Sequence, residues 1–575
     1  MAVTGIQVAL SVAFAQYADK RELQAALKIP EIMDLSERPD LWVDWLADTG
    51  DGFNATYATA TLLAREKLTV STPDGGDVTL PRAALLVLGG DLAYPAAAPA
   101  EYLNRFLGPY RSALPAVPDG TTAPLLLCIA GNHDWYDGLT TWLRLFCDGQ
   151  PVGGWETGQT RSYFVAKLPH RWWIMGIDLA LDLFIDTPQL DYFRAVVATE
   201  LQPGDRVILV MHEPSWLFGG LPSENARYSE LSESNLRRFE REILHPRGVD
   251  VPLVIAGDIH HYNRYERATG TQTRIVCGAG GTFLHPTQHI PEQILWPEED
   301  GIARYELRAR YPDAPTSRRL CWRTWLVPLL NPSFVFFVGL LYLLFAFAVR
   351  FSLVSERDIG FGEIAETVPV DDIRGGLLYN PISLVLVVAI GLGLIIYADC
   401  RRWASRVVVG GLHGLAHLLV LTYVIWTAAR VLAPIDLPFV TFQFGFRWDI
   451  SFFLIAYTAV VLVVGGLAGA YTYTAYLFLM QRLFNRHTTD AFSAQRNPDY
   501  RSFLRMHIDA DGELTIHPIG VQRVPRRWHY VPPGDRQSHE PVFQPREEIR
   551  AHLIETPFRV PSEPVSAAPR SPDPG

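Results

Sequence analysis

The chain has 575 residues, 49% of them hydrophobic, more than a single ordinary core holds, so at least two structural units are expected. Its net charge of -11 excludes a general nucleic-acid binder, whose electrostatic footprint is basic, and no nucleic-acid partner is expected. Five scattered cysteines without C-x-x-C spacing exclude a disulfide framework and suit a reducing compartment.

Residues 1–40 open on an apolar run without a basic leader, and Asp19-Lys20-Arg21-Glu22 follows it directly. This reads as an amphipathic or docking helix in preference to a signal peptide. From 41 to 307 the pattern is strand, turn, helix, strand, that of an α/β domain. Five apolar runs each deliver polar side chains into a turn. Leu41–Ala47 leads to Asp48-Thr49-Gly50-Asp51, and Ala83–Leu88 leads to Gly89-Gly90-Asp91-Leu92-Ala93-Tyr94. Leu125–Ala130 leads to Gly131-Asn132-His133-Asp134, Val207–Met211 to His212-Glu213, and Val251–Ala256 to Gly257-Asp258-Ile259-His260-His261. Short continuous apolar runs ending in glycine are strands covered on both faces, and their carboxyl ends are rigid places to mount chemistry.

The composition then changes. Thr324–Val349, Gly375–Ala398, Val407–Ala429 and Ile450–Met480 lack Asp, Glu, Lys and Arg, and each is long enough to cross a bilayer core. Four transmembrane helices are expected, at about 328–350, 379–398, 407–429 and 451–476, in an all-α domain spanning 324–480. Arginines flank the first span, the second loop and the end of the fourth span, whereas the first loop is acidic. By the positive-inside rule the α/β domain and the tail face the cytoplasm. His413 and His417, one turn apart in the third span, are expected to serve helix packing or hydrogen bonding. In the tail, 481–532 is expected to carry a β-hairpin turning at Asp511-Gly512, and the Pro-rich 533–575 is expected to be disordered.

Carboxylate, imidazole, amide and phenol groups at neighbouring strand ends are ligands for hard and borderline metal ions. Two such ions can clamp a phosphate. In order, Asp48-Thr49-Gly50, Gly90-Asp91-Leu92-Ala93-Tyr94, Gly131-Asn132-His133-Asp134, His212 and Gly257-Asp258-Ile259-His260 resemble the motif set of calcineurin-like metallophosphoesterases, purple acid phosphatases in particular. The resemblance covers roughly 40–290 and implies a four-layer α/β/β/α sandwich with its site at one edge of paired sheets. It implies that Asp48, Tyr94 and His260 hold one metal, that Asp91 bridges, and that Asn132, His212 and Asp258 hold the second. His133 is then the general acid beside the phosphate. Asp51 is an alternative to Asp48 or a neighbour of it, while Asp134, His261 and His285 are supporting or substrate-contacting candidates. Where the family has a histidine this chain has Asp258, which favours Mn, Fe or Mg over Zn. The expected function is a membrane-anchored phosphoesterase that hydrolyses a phosphorylated small molecule or lipid by metal-hydroxide attack. The alternative is an inactive receptor or scaffold that binds a phosphorylated ligand.

Overall fold

The computed structural model describes residues 32–118, 120–179, 185–218, 234–298, 301–357, 369–400, 402–435, 439–443 and 447–560. Residues 1–31 of the expected N-terminal helical segment (1–40) and the last fifteen residues lie outside these, and the remainder of that segment, 32–40, is strand and turn rather than helix. The chain divides into two units, Met1–Ser317 with Asn497–Gly575, and Arg318–Arg496.

Alternation within the apolar runs of the first unit assigns side chains to layers. Strand β1 (Leu41–Leu46) pairs in parallel with β2 (Leu85–Leu88), which pairs in parallel with β3 (Leu125–Cys128). Val43, Trp45, Leu85, Val87 and Leu127 join a core shared with the second sheet, whereas Leu46, Leu86, Leu88 and Leu126 pack with helix α1 (Phe53–Ala64). The second sheet is built on β4 (Trp172–Ile177), β5 (Arg206–Met211), β6 (Asp250–Ala256) and β7 (Thr273–Cys277), parallel in that order. Its Ile174, Ile208, Val210, Leu253 and Ile255 enter the shared core. Met175, Leu209 and Val254 pack on its other face with Phe193 and Phe239. The unit is thus mixed α/β, with two large sheets and one apolar layer common to both.

The tail corrects the expected organisation. Strands β8 (Arg501–Ile508) and β9 (Leu514–Val521) form the hairpin at Gly512, but this hairpin belongs to the first sheet, with β8 antiparallel to β1. Ala551–Leu553 and Phe558–Val560 add to β9, so 533–560 is not a disordered tail. Glu555 accepts Nε and Nη2 of Arg264 at 2.9 and 2.6 Å, and Tyr262 also donates to it. Residues 41–307 are therefore not a complete domain. Met33–Asp34 and Gly301–Tyr311 are also strands of the second sheet. The physical reason is that short polar strands lack a hydrophobic pattern of their own and are stabilised by an edge supplied from elsewhere in the chain.

Among the described residues of the second unit three helices are long and apolar enough to cross a membrane: α2 (Pro332–Arg357, apolar over Pro332–Phe351), α4 (Trp403–Leu432) and α5 (Phe452–Phe484). The run expected as a second span breaks at Asn380-Pro381 into Val370–Tyr379 and α3 (Pro381–Tyr397), a 17-residue apolar helix. Pro381 at the first helical position cannot continue the preceding helix, and the Asn380 side chain accepts N–H bonds from Ile382 and Ser383.

Candidate metal centre

The carboxyl ends of β1, β2, β3, β5 and β6 converge. Asp48, Asp91 and His212 each offer a ligand atom within 4.8 Å of the others, and all three are buried. The turns that aim them are demanding. Asp48, Asp91 and Asp258 adopt left-handed φ values of 55°, 56° and 62°, which cost a non-glycine residue roughly 1 kcal/mol or more each and cluster at functional sites. Gly131 is required by close approach, since a Cβ there would lie 2.1 Å from Asp91 Oδ1.

Asp91 divides the site. Its Oδ2 accepts the Tyr94 hydroxyl at 2.7 Å, and that hydroxyl also lies 3.2 Å from Asp48 Oδ1 and 3.2 Å from His260 Nε2. His260 Nε2 is 3.5 Å from Asp48 Oδ1. On the other side, Asp91 Oδ1 is 3.5 Å from His212 Nε2, which stands 3.3 Å from Asn132 Oδ1 and 3.6 Å from Asp258 Oδ1. His212 Nδ1 donates to the Gly89 carbonyl at 2.7 Å, turning Nε2 inward. The Asp258 backbone N–H is tied to Asp48 Oδ2 at 2.9 Å.

The electrostatics fit a cation. Among the described residues no lysine or arginine forms an ion pair with Asp48, Asp91 or Asp258; their partners are imidazoles. Burial pushes the Asp48 carboxyl well up, aided by Asp91 and Asp258 and opposed by His212. Burial likewise raises Asp258, against the pull of His212. For Asp91, burial is outweighed by His212 and His133, which hold its carboxyl well below the usual range. His212 is pushed well up because the carboxylates, Asp91 first, overcome its burial. Burial and then Asp91 keep the Tyr94 phenol protonated far above its ordinary range. Crowded buried carboxylates that share so few cationic partners are a donor set for hard or borderline metal ions.

His133 stands beside this set. Its backbone N–H donates to Asp91 Oδ1 at 2.8 Å, and its Nδ1 donates to the Pro95 carbonyl at 2.9 Å, which leaves Nε2 free of that bond. Its ring centroid lies 4.2 Å from that of Tyr94. Asp134 ties the loops together, accepting the N–H groups of Asp91 at 2.7 Å, Gly131 at 2.9 Å and Leu92 at 3.2 Å, together with the Tyr102 hydroxyl. His285 stacks on His260 at 4.1 Å and accepts its backbone N–H at 3.2 Å. His261 is drawn away from the cluster, its Nε2 accepting from Asn263 at 2.9 Å. Asp51 is outside the clustered ligand group; its carbonyl accepts Arg105 at 2.9 Å, and burial raises its carboxyl.

Two contributors were not found by the sequence reading. Tyr102 carries no motif. Arg501 arrives from the far end of the chain, fully buried, with its guanidinium on the carbonyls of Thr282 and Asp499 beside the loop that covers Asp48. The next residue, Ser502, donates its N–H to Ala279 of that loop at 3.1 Å. No local signal marks either residue, because each acts through a tertiary contact.

No protein-family model matches the chain, and no curated protein matches its sequence. Among solved structures, that of GAP50, the anchor in the inner membrane complex of Plasmodium, is similar at 13% identity with a TM-score of 0.32, covering 46% of this chain and 83% of its own. A structure of PhoD is similar at 12% identity with a TM-score of 0.29, covering 48% of this chain and 70% of its own. At these TM-scores neither likeness carries a functional argument.

Proposed function

We propose that the first unit is a dinuclear metal-dependent phosphoesterase acting on a phosphate mono- or diester. The observation that carries this reading is the division around Asp91, with Oδ2 toward Tyr94, Asp48 and His260, and Oδ1 toward His212, Asn132 and Asp258. Asp48, Tyr94 and His260 would hold one ion and Asn132, His212 and Asp258 the other, with Asp91 between them. The ions would supply a charge clamp for phosphate oxygens and activation of water. The oxygen-rich set around Asp258 favours Mn, Fe or Mg over Zn. His133 is fixed through Nδ1, so Nε2 is the ring atom that exchanges a proton with the departing oxygen.

A four-layer α/β/β/α arrangement is supported by the three core clusters, one shared between sheets and two pairing a sheet face with helices. Membrane anchoring by four spans is supported by chain connectivity. Strand β1 precedes the apolar helices, β8 follows them, and the two are hydrogen-bonded neighbours, which favours an even number of crossings. With three long apolar helices, evenness recruits α3, whose 17 residues span about 26 Å, close to the hydrocarbon thickness. Arg318, Arg319 and Arg323 before α2, and Arg482 and Arg486 at the end of α5, favour the cytoplasmic side for the phosphoesterase unit. A bilayer tether makes a lipid-linked phosphate the favoured substrate over a soluble one.

The test is metal analysis of the detergent-solubilised chain together with hydrolysis of aryl phosphate mono- and diesters in added Mn. Asp91→Asn is expected to lose metal and hydrolysis together, and His133→Ala to lose hydrolysis while keeping metal. A metal-replete protein without hydrolysis of any ester would instead support the phosphate-binding receptor.

A further inference from the structure

Residues 318–330 lead into α2 as the end of the helix Ala314–Leu320, a 3-10 turn (Cys321–Leu326) and the short helix Val327–Leu330. One face of this stretch is packed away, with Cys321, Thr324, Val327 and Pro328 buried. It is held by Gln481 of α5, whose Nε2 donates to Thr324 Oγ1 at 2.6 Å, and by Asn331, whose Nδ2 donates to the Ala494 carbonyl at 2.8 Å. The other face carries Arg318, Arg319, Trp322, Trp325 and Leu329, all exposed. Trp322 and Trp325 lie against Phe478 of α5, with ring centroids 4.8 and 5.4 Å away, yet they remain 60% and 37% exposed. One turn beyond Phe478, Arg482, Leu483 and Phe484 are exposed as well.

This surface suits neither water nor hydrocarbon. Exposed indoles, leucines and a phenylalanine are unfavourable in the first, and guanidinium groups are costly in the second. Its place is the boundary where headgroups lie, because indole rings settle there and arginine stems lie along apolar surface with the charge turned outward. The charge is of one sign. Residues 318–330 and 478–489 hold Arg318, Arg319, Arg323, Arg482 and Arg486 and no Asp or Glu. Arg486 pairs with Asp399 at 3.1 Å, whereas Arg323 Nε is enclosed without a hydrogen-bond partner.

We propose that this basic and aromatic collar binds the headgroups of anionic phospholipids. A zwitterionic headgroup brings a cation with every phosphate, and a patch without acidic residues offers that cation nothing. A net-negative headgroup meets the guanidinium groups alone. An acidic protein segment would match the charge but not the setting, since apolar α2 begins at Pro332 and Phe478 lies within apolar α5. The inference rests on the membrane reading of the apolar helices and is independent of the phosphoesterase reading.

The test places the full chain in phosphatidylcholine nanodiscs with phosphatidylglycerol as the minor lipid. Bromine is carried on the acyl chains of one lipid or the other, and quenching of tryptophan fluorescence is read. Mole for mole, brominated phosphatidylglycerol is expected to quench more than brominated phosphatidylcholine, and Trp322→Phe/Trp325→Phe to remove that excess. Arg318→Gln and Arg482→Gln are each expected to lower the phosphatidylglycerol preference about fivefold, and raised salt to lower it in the parent, while quenching by brominated phosphatidylcholine persists. Equal quenching by the two lipids in the parent, or a preference that both arginine variants keep, would overturn the inference and leave the membrane reading in place. Absence of quenching by either lipid would refute the membrane reading and this inference with it.

Discussion

Asp44 and Arg505 join the two halves of the first unit that the apolar helices separate in sequence. Asp44 lies in β1, four residues before Asp48, and Arg505 in β8 sends Nε and Nη2 to its two carboxylate oxygens at 2.8 and 2.7 Å. Both side chains are buried, at 2% and 0% exposure. Burial pushes the Asp44 carboxyl up and Arg505 works against it. Arg505→Leu removes the partner and leaves a buried carboxylate, a loss of about 3–5 kcal/mol. With an unfolding entropy near 2.1 cal/mol/K per residue and a unit of about 400 residues, the melting temperature should fall by about 4–6 °C. The sign with pH follows from Asp44. Without Arg505 its folded pKa rises further above its unfolded value, so the penalty is full at neutral pH and fades as the medium approaches about pH 4. The double variant Asp44→Leu/Arg505→Leu should recover much of the loss, since an apolar pair of similar volume carries no stranded charge. Thermal unfolding of the four members of this cycle, at neutral and acidic pH, measures the coupling. A single Arg505→Leu variant that melts within a degree of the parent would refute the account of how β8 is docked.

Asp134→Ala leaves three backbone N–H groups of the metal loops without an acceptor, at about 1–3 kcal/mol each, and should abolish stoichiometric metal binding; retained metal with an unchanged melting point would contradict this. Burial holds His289 down at about 4, so the unfolded chain takes up its proton first on acidification. Stability should therefore drop as pH falls from about 6.5 toward 4, less steeply in His289→Gln, as read from denaturation midpoints across that range. Loaded with ferric iron, the protein should show a visible phenolate-to-iron band that Tyr94→Phe removes; an iron-replete, colourless and active parent would take Tyr94 out of the ligand set.

The sequence by itself determined the strand ends and the apolar helices. A short, largely apolar run that stops at glycine or a polar side chain has few alternatives to a buried strand feeding a loop. That is why Asp48, Asp91, Tyr94, Asn132, His212, Asp258 and His260 were all legible. Apolar runs without charge announce long apolar helices by composition alone, although Asn380-Pro381 shortens one of the four expected runs to 17 residues through a capping effect that hydropathy does not register. Only the tertiary structure decided what the tail does. Arg501–Ile508 and Phe558–Val560 are short, mixed in polarity and distant in sequence from their partners, so nothing in their own pattern says that they complete the sheet beside Asp48. The same holds for the partner of Asp44, for the tethering role of Asp134 and for Arg501 over the loop at Thr282. Each depends on which backbone groups and charges arrive from elsewhere in the chain, and strand pairing over such separations is set by register and burial in the assembled sheets.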